Sequence, residues 1–308
     1  TSQRHAIIAL NILPLQICLW MIIMPDMLRE RVSDDIYVFT SSLYAQVTAG
    51  AIRTQDGVVV IDTLPFPQES RQLLSFAQRL HPRGVRYVIL THSHADHVYG
   101  SYLFLGSELI AHQRCRDMMQ RYGEAALMEA KAQTPELAEV RLRLPTLLFE
   151  GELTLRVGGK TLVVMQSPGH SPDMVMVHVK EDKVLFASDA VMPVPYLVGG
   201  SLPDMLQSLR ALANMPLENI VQGHGPVLLR GEIGETLDSS IHYLERIDQL
   251  VKEHVSAGRP RSALSGIDIE KCGKSRVPLG GLVQRLHQAN LLYLYDALVA
   301  SEMATQPA

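Results

Sequence analysis

One run of ligand-type side chains, placed directly after an apolar segment, constrains this chain most. Residues 85–97 read VRYVILTHSHADH. The apolar part has the length and composition of a strand that is buried on both faces. Side chains alternate along a strand, so His92 and His94 point the same way, and the following turn lets Asp96 and His97 reach a second point nearby. Because buried imidazoles and carboxylates need partners, the motif predicts a metal site whose side chains can supply ligands to two adjacent ions.

Three later segments each add one side chain of the same type. They read SPGHS at 167–171, FASDA at 186–190 and QGHGP at 222–226, and each follows a run with strand composition. Small residues beside each candidate ligand allow the backbone to turn tightly. The candidates are His170, Asp189 and His224. Imidazole and carboxylate suit zinc, iron and manganese, so all three extend the predicted metal site.

The order of predicted elements indicates how the chain is layered. Short runs rich in Val, Ile and Thr alternate with helical patterns up to about residue 230, and two long helical patterns follow at 232–257 and 280–302. Strands with interspersed helices, twice over, predict two sheets packed together with helices outside. We therefore expect an α/β fold, a four-layer αββα sandwich with a C-terminal helical extension. The predicted segments are an apolar N-terminal extension at 1–32, the sandwich at 33–230 and the helical extension at 231–308.

Composition and charge indicate which classes of partner and which cellular compartment to expect. The net charge is −4 and the sequence pI is about 6.3, so nothing favours a nucleic-acid partner, and a small-molecule substrate is expected. Three separated cysteines favour a reducing compartment and predict a cytoplasmic protein. Residues 6–24 are apolar, but Asn11, Pro14 and Gln16 interrupt them. We expect an extra helix there, packed on the body or covered in a homodimer, rather than a membrane anchor or an export signal.

The motifs resemble those of the metallo-β-lactamase superfamily, whose signature is HxHxDH followed by a distant His, Asp and His. The likeness extends over roughly residues 33–230. The resemblance implies a first metal held by His92, His94 and His170. It implies a second metal held by Asp96, His97 and His224, with Asp189 bridging the two. Two divalent ions are therefore expected; zinc is the default, and iron and manganese fit the same ligands.

The resemblance also implies a mechanism. A hydroxide bridging two metal ions would attack the substrate, and Asp96 would orient it. We predict a metal-dependent hydrolase that cleaves a small ester-like substrate: a lactone, a thioester or a phosphoester. Tyr44 in the first hairpin and Tyr196 after Asp189 are candidates to donate a hydrogen bond to a substrate oxygen.

The bridging aspartate separates branches of the superfamily. Asp189 resembles the residue of glyoxalase II, the lactonases and the phosphodiesterases, whereas class B β-lactamases usually place Cys or Ser there. Weak β-lactamase activity is compatible with the ligand set. The Gly-Cys-Gly-Arg stretch of glyoxalase II is absent, and residues 191–196 read VMPVPY instead. Two alternatives stay open: an oxidoreductase like the mono-iron persulfide dioxygenases, and a non-catalytic binding module of the same fold.

Overall fold

Short runs of β-branched residues form two sheets in the computed structural model, which describes residues 27–197 and 199–305. The first sheet has seven strands in sequence order, antiparallel from β1 to β4 and parallel from β4 to β7. These strands are β1 (Leu28–Arg31), β2 (Ile36–Thr40), β3 (Thr48–Thr54), β4 (Gly57–Ile61), β5 (Val85–Ile89), β6 (Glu108–His112) and β7 (Leu147–Phe149). The apolar segment 6–24 lies outside the described residues.

The second sheet has six strands in the order β13-β12-β11-β10-β9-β8. Neighbouring strands are antiparallel except for the parallel pair β11 and β12. The strands are β8 (Leu153–Val157), β9 (Lys160–Gln166), β10 (Val175–Val179), β11 (Val184–Ser188), β12 (Asn219–Gln222) and β13 (Val227–Leu229).

Helices cover the outer face of each sheet. Helices α1 (Pro67–Leu80), α3 (Gln113–Met118) and α4 (Glu124–Gln133) pack against the first sheet, and the short α2 (Ala95–Val98) lies within the histidine-rich motif. Helices α5 (Leu202–Leu212), α6 (Arg230–Ser256) and α7 (Leu282–Thr305) pack against the second sheet. Within the described ranges, no helix is long and apolar enough to cross a membrane.

Successive side chains along each strand point to opposite faces of the sheet, and this alternation produces the layers. In β4 every residue is buried: Val59 and Ile61 face the second sheet, whereas Val58 and Val60 face the helices. Phe186 of β11 fills the space between the sheets, where a methyl group added at Gly50 would overlap its ring. The predicted αββα sandwich is thus confirmed. Its division at residues 32 and 230 stays a prediction, because α6 and α7 share one apolar core with the second sheet.

The two sheets are joined by hydrogen bonds at one end of the sandwich. The amide of Thr48 donates to the carbonyl of Gly223 at 2.9 Å, and the amide of Val175 donates to the carbonyl of Thr91, also at 2.9 Å. These bonds lie beside the motif residues, so chain segments from both sheets meet at the candidate site.

Candidate metal centre

All the candidate ligands follow the carboxyl ends of strands. His92 follows β5, and His94 precedes α2, whose first turn carries Asp96 and His97. The other candidates lie in the turns after β9, β11 and β12, and they are His170, Asp189 and His224. The seven side chains therefore come from both sheets and meet at one end of the sandwich.

The first group of ligand atoms comes from three histidines and one aspartate. The Nδ1 atom of His94 lies 2.9 Å from Nε2 of His92 and 2.9 Å from Nε2 of His170. Oδ2 of Asp189 lies 3.3 Å from Nε2 of His170. Ligands held at the usual zinc distances in a tetrahedron are about 3.3 Å apart. Nε2 of His92 lies 4.0 Å from Oδ2 of Asp189, and all four ligand atoms lie within 4.8 Å of one another, so this group is compact enough to hold one metal ion.

The second group lies beside the first and consists of Asp96, His97 and His224. Oδ2 of Asp96 lies 3.3 Å from Nε2 of His224 and 3.8 Å from Nε2 of His97. Asp189 reaches this group as well: its Oδ1 lies 3.3 Å from Nε2 of His97, and its Oδ2 lies 3.6 Å from Nε2 of His224. The Asp189 carboxylate therefore lies between the two groups.

Hydrogen bonds on the outer side of three imidazoles fix which nitrogen faces the centre. Nδ1 of His97 donates to Oδ2 of Asp62 at 2.8 Å. Nδ1 of His170 donates to the carbonyl of Tyr196 at 2.7 Å, and Nδ1 of His224 donates to that of Ala45 at 3.0 Å. A proton held on Nδ1 leaves the lone pair of Nε2 directed at the centre, as metal ligation requires.

Asp62 is a residue that sequence reasoning missed. It is buried at the end of β4, and besides His97 it accepts hydrogen bonds from the amide and the hydroxyl of Thr91, immediately before the motif. The available signal was an aspartate ending the apolar run GVVVI. That signal was weak because Asp62 has no ligand spacing relative to the motif.

Unpaired atoms in the centre test whether a metal fits. Nε2 of His97 and Oδ1 of Asp189 are buried and have no hydrogen-bond partner. Burial alone would lower the pKa of His97 and of His224, but the neighbouring carboxylates outweigh it and raise the pKa of His224 to about 10. Burial would raise the pKa of Asp189, but nearby histidines hold it well below its usual range. A compact set of nitrogen and carboxylate donors with buried, unpaired lone pairs fits divalent metal ions.

Comparison with known proteins agrees with this geometry. Residues 44–224 match the family model described as the metallo-beta-lactamase superfamily, and this is more than half of the 308 residues. The chain belongs to that superfamily. Membership and the histidine and aspartate groups together indicate binding of divalent metal ions.

Two curated relatives are similar to this chain over part of their length. A beta-lactamase-like protein 2 homolog from Caenorhabditis elegans is 27% identical over 174 residues, which cover 55% of this chain and 53% of the relative. A hydroxyacylglutathione hydrolase from Rhodopseudomonas palustris is 26% identical over 176 residues, covering 56% of this chain and 61% of the relative. The chain thus matches between about half and three fifths of these relatives' lengths.

Two solved structures share the fold. A sec-alkylsulfatase from a Pseudomonas species superposes with a TM-score of 0.70 at 16% identity, covering 92% of this chain and 52% of the sulfatase. A metallo-beta-lactamase from Pontibacter korlensis superposes with a TM-score of 0.59 at 19% identity, covering 71% of this chain and 99% of the lactamase.

The two predicted tyrosines lie beside the superfamily's histidine and aspartate groups. The Tyr196 ring centre is 5.8 Å from that of His170. Burial, followed by the charges of Asp96 and Asp189, raises the pKa of Tyr44, so this phenol stays protonated at neutral pH. The charge of Arg285, an exposed residue of α7 that sequence reasoning missed, acts on Tyr44 in the opposite direction. Their roles toward a substrate stay predictions.

The Asp62→Asn variant is expected to weaken metal binding about 10- to 100-fold. If the asparagine carbonyl keeps the bond from the Thr91 amide, its NH2 faces Nδ1 of His97. The proton of His97 then moves to Nε2, which can no longer bind a metal. Competition with a chromophoric chelator measures the zinc affinity. Asp56→Asn, at the opposite end of β4, is the control and should bind like the wild type. Equal zinc affinity for Asp62→Asn and the control would contradict the assigned orientation of His97.

The contribution of His224 to the stability of the metal-free protein is expected to fall as the pH rises from about 6.5 towards 10. The pKa of His224 is about 10 in the folded chain, against about 6.5 when unfolded. The folded state therefore binds the proton more tightly. This contribution is fully present below pH 6.5 and is lost as the pH rises through 10.

Urea unfolding with a chelator present, at pH 6.5 and pH 9.5, measures this dependence. The His224→Asn substitution is expected to lower the free energy of unfolding, relative to the wild type, by a few kcal/mol more at pH 6.5 than at pH 9.5. The opposite slope from Lys274, whose pKa burial lowers to about 8, cancels in the difference between wild type and variant. A difference that is the same at both pH values would refute this account of His224.

Proposed function

We propose that the chain is a dinuclear metallohydrolase that cleaves a small ester-like substrate: a lactone, a thioester or a phosphoester. The observation that carries the proposal is the position of Asp189, whose carboxylate lies within 3.3 Å of His170 in one group and of His97 in the other. Such a carboxylate can bridge two ions. The first ion would be held by His92, His94 and His170, and the second by Asp96, His97 and His224.

Two bound ions would supply Lewis acidity, lowering the pKa of a water molecule and polarising the substrate oxygen. The residues of the chain supply the remaining functions. Asp96 is the least buried of the carboxylates in the centre. Burial would raise its pKa, but His97 and His224 outweigh this and lower the pKa to about 2, so its charge is maintained. It can therefore accept a hydrogen bond from an attacking water and orient it. Zinc is the metal we propose, since nitrogen and carboxylate donors at tetrahedral spacing suit it.

Tyr44 and Tyr196 would bind the substrate. Burial raises the pKa of both phenols, so each O–H group is available as a donor to a substrate oxygen at neutral pH. A donor directed at an oxygen that gains negative charge stabilises the transition state. The hydroxyacylglutathione hydrolase among the relatives supports a thioester as one member of the substrate class.

Metal content and a substrate panel test the proposal together. Protein purified without added metal or chelator should contain about two metal ions per chain by mass spectrometry. It should hydrolyse at least one of a lactone, a thioester and a phosphodiester. One iron per chain, with oxygen uptake on a persulfide, would instead support the mono-iron oxidoreductase. Absence of metal after incubation with zinc would overturn the proposal.

The double variant His92→Ala, Asp96→Ala separates an enzyme from a binding module. It removes one ligand from each group. An enzyme would lose its hydrolysis almost completely, whereas a binding module would keep its binding. The expected result is loss of hydrolysis with retained secondary structure, measured by circular dichroism.

A further inference from the structure

A buried amide on the C-terminal helix contacts the chain segment beside the candidate centre. Asn290 of α7 is fully buried. Its Oδ1 accepts a hydrogen bond from the amide of Leu197 at 2.9 Å, and its Nδ2 donates to the carbonyl of Pro195 at 2.7 Å. Pro195 and Leu197 flank Tyr196, and none of the three belongs to a helix or strand. The Asn290 side chain therefore supplies the hydrogen bonds that these backbone groups would otherwise form within a helix or a strand.

Neighbouring groups determine the orientation of the Asn290 amide. A backbone N–H can only donate and a carbonyl can only accept, so the amide cannot be flipped. Its Nδ2 also donates to the hydroxyl oxygen of Tyr243 in α6 at 3.1 Å. The Tyr243 hydroxyl donates to Nδ1 of His287 at 3.0 Å, and Nε2 of His287 donates to the carbonyl of Ile267 at 3.0 Å. This chain of buried hydrogen bonds holds Asn290 against α6 and limits its movement.

The segment that Asn290 holds also orients a candidate ligand. The carbonyl of Tyr196 accepts the hydrogen bond from Nδ1 of His170. Gly200 packs closely against the turn that carries His170: a methyl group added at Gly200 would overlap the carbonyl oxygen of Gly169. The hydroxyl of Tyr293, also on α7, donates to the carbonyl of Gly200 at 2.7 Å. Helix α7 thus contacts, at two points, the residues that pack against the His170 turn.

We propose that Asn290 is a positioning residue for the first metal group, acting on His170 through the Tyr196 carbonyl. This inference rests on the proposed function, because it requires that the group binds a metal. Loss of the amide frees the Pro195–Leu197 backbone and with it the acceptor that fixes the His170 ring. Outer hydrogen-bond partners of ligating histidines control metal affinity. In the second group, His97 and His224 have outer partners of their own, Asp62 and the Ala45 carbonyl, and these do not depend on Asn290.

Zinc binding to the full chain tests the inference, using Asn290→Ala and the isosteric Asn290→Asp, which keeps the shape but loses both N–H donors. Leu291→Ala is the matched control: Leu291 is fully buried on the same helix and belongs to the same apolar core. Both Asn290 variants should bind one of the two zinc ions about tenfold more weakly and the other as the wild type does. Leu291→Ala should lower the melting temperature and leave both affinities unchanged.

The outcomes separate the inference from the proposed function. Wild-type protein that binds no zinc would overturn both. Wild-type protein that binds two zinc ions, with both Asn290 variants binding them equally well, would overturn the inference alone. A tenfold loss in Leu291→Ala would also overturn it, because general loosening of α7 would then explain the effect. The absorption spectrum of the Co²⁺-loaded chain gives a second readout, and only the Asn290 variants should alter it.

Discussion

The Asp189→Asn variant is expected to lower kcat/KM by about a thousandfold or more, because charge stabilisation by bound metals is worth several kcal/mol and 1.36 kcal/mol is a factor of ten. Asp189 lies between the two groups of ligand atoms, so one substitution affects both. Asparagine keeps the size but removes a negative charge that attracts positive charge in the centre, where it raises the pKa of His97 and of His224. Metal content by mass spectrometry should therefore fall together with hydrolysis.

Asp238→Asn, an exposed substitution on α6, is the control for the loss of one carboxylate. It should keep both metal ions and full activity. Activity of Asp189→Asn within about tenfold of the wild type would show that Asp189 does not bridge, since that is too small for loss of a metal ligand.

The Gly223→Ala variant is expected to lose most of its metal and its activity, although residue 223 supplies no ligand. A methyl group at this position would overlap Oδ1 of Asp189 and lie 2.7 Å from the carbonyl carbon of Ser188. The Asp189 side chain or the end of β11 must then move. Overpacking of this kind typically costs about 1–3 kcal/mol, and displacement of a ligand by about 1 Å costs about a hundredfold in rate.

Gly234→Ala is the control for the same substitution in open space. Nothing lies within 4 Å of the methyl group it adds on α6, so it should leave activity unchanged and slightly raise the melting temperature. Thermal unfolding and zinc titration measure the two expectations for both variants. Full zinc binding by Gly223→Ala would contradict the prediction, because it would mean that displacing the Asp189 side chain does not weaken metal binding.

Local patterns were sufficient to predict the layers and the ligand candidates. The helical patterns at 232–257 and 280–302 match α6 and α7 within a few residues, and VRYVIL contains β5. The turns that carry His170, Asp189 and His224 follow strands, as expected. Periodicity succeeds here because each element buries one face or both faces in the same sandwich.

Residues that act through distant contacts could not be predicted in this way. Asp62 contacts His97 across 35 positions, and Asn290 contacts Leu197 across 93. Each is a polar residue beside an apolar run. From sequence alone, such a residue is equally well explained as a buried polar group with ordinary hydrogen-bond partners. Arg285 lies on the exposed side of α7, and only the packing of that helix brings its charge near Tyr44.

The distribution of ligands between the sheets has a consequence for how a newly made chain acquires its metal. His92, His94, Asp96 and His97 follow a strand of the first sheet, whereas His170, Asp189 and His224 follow strands of the second. Each group draws on both, so a half-made molecule with one sheet formed offers an incomplete set of donors to either ion. Metal binding at the proposed centre would then follow docking of the two sheets, and bound metal would stabilise their contact. Complete sets of ligand atoms for either ion would therefore exist only after both sheets have formed.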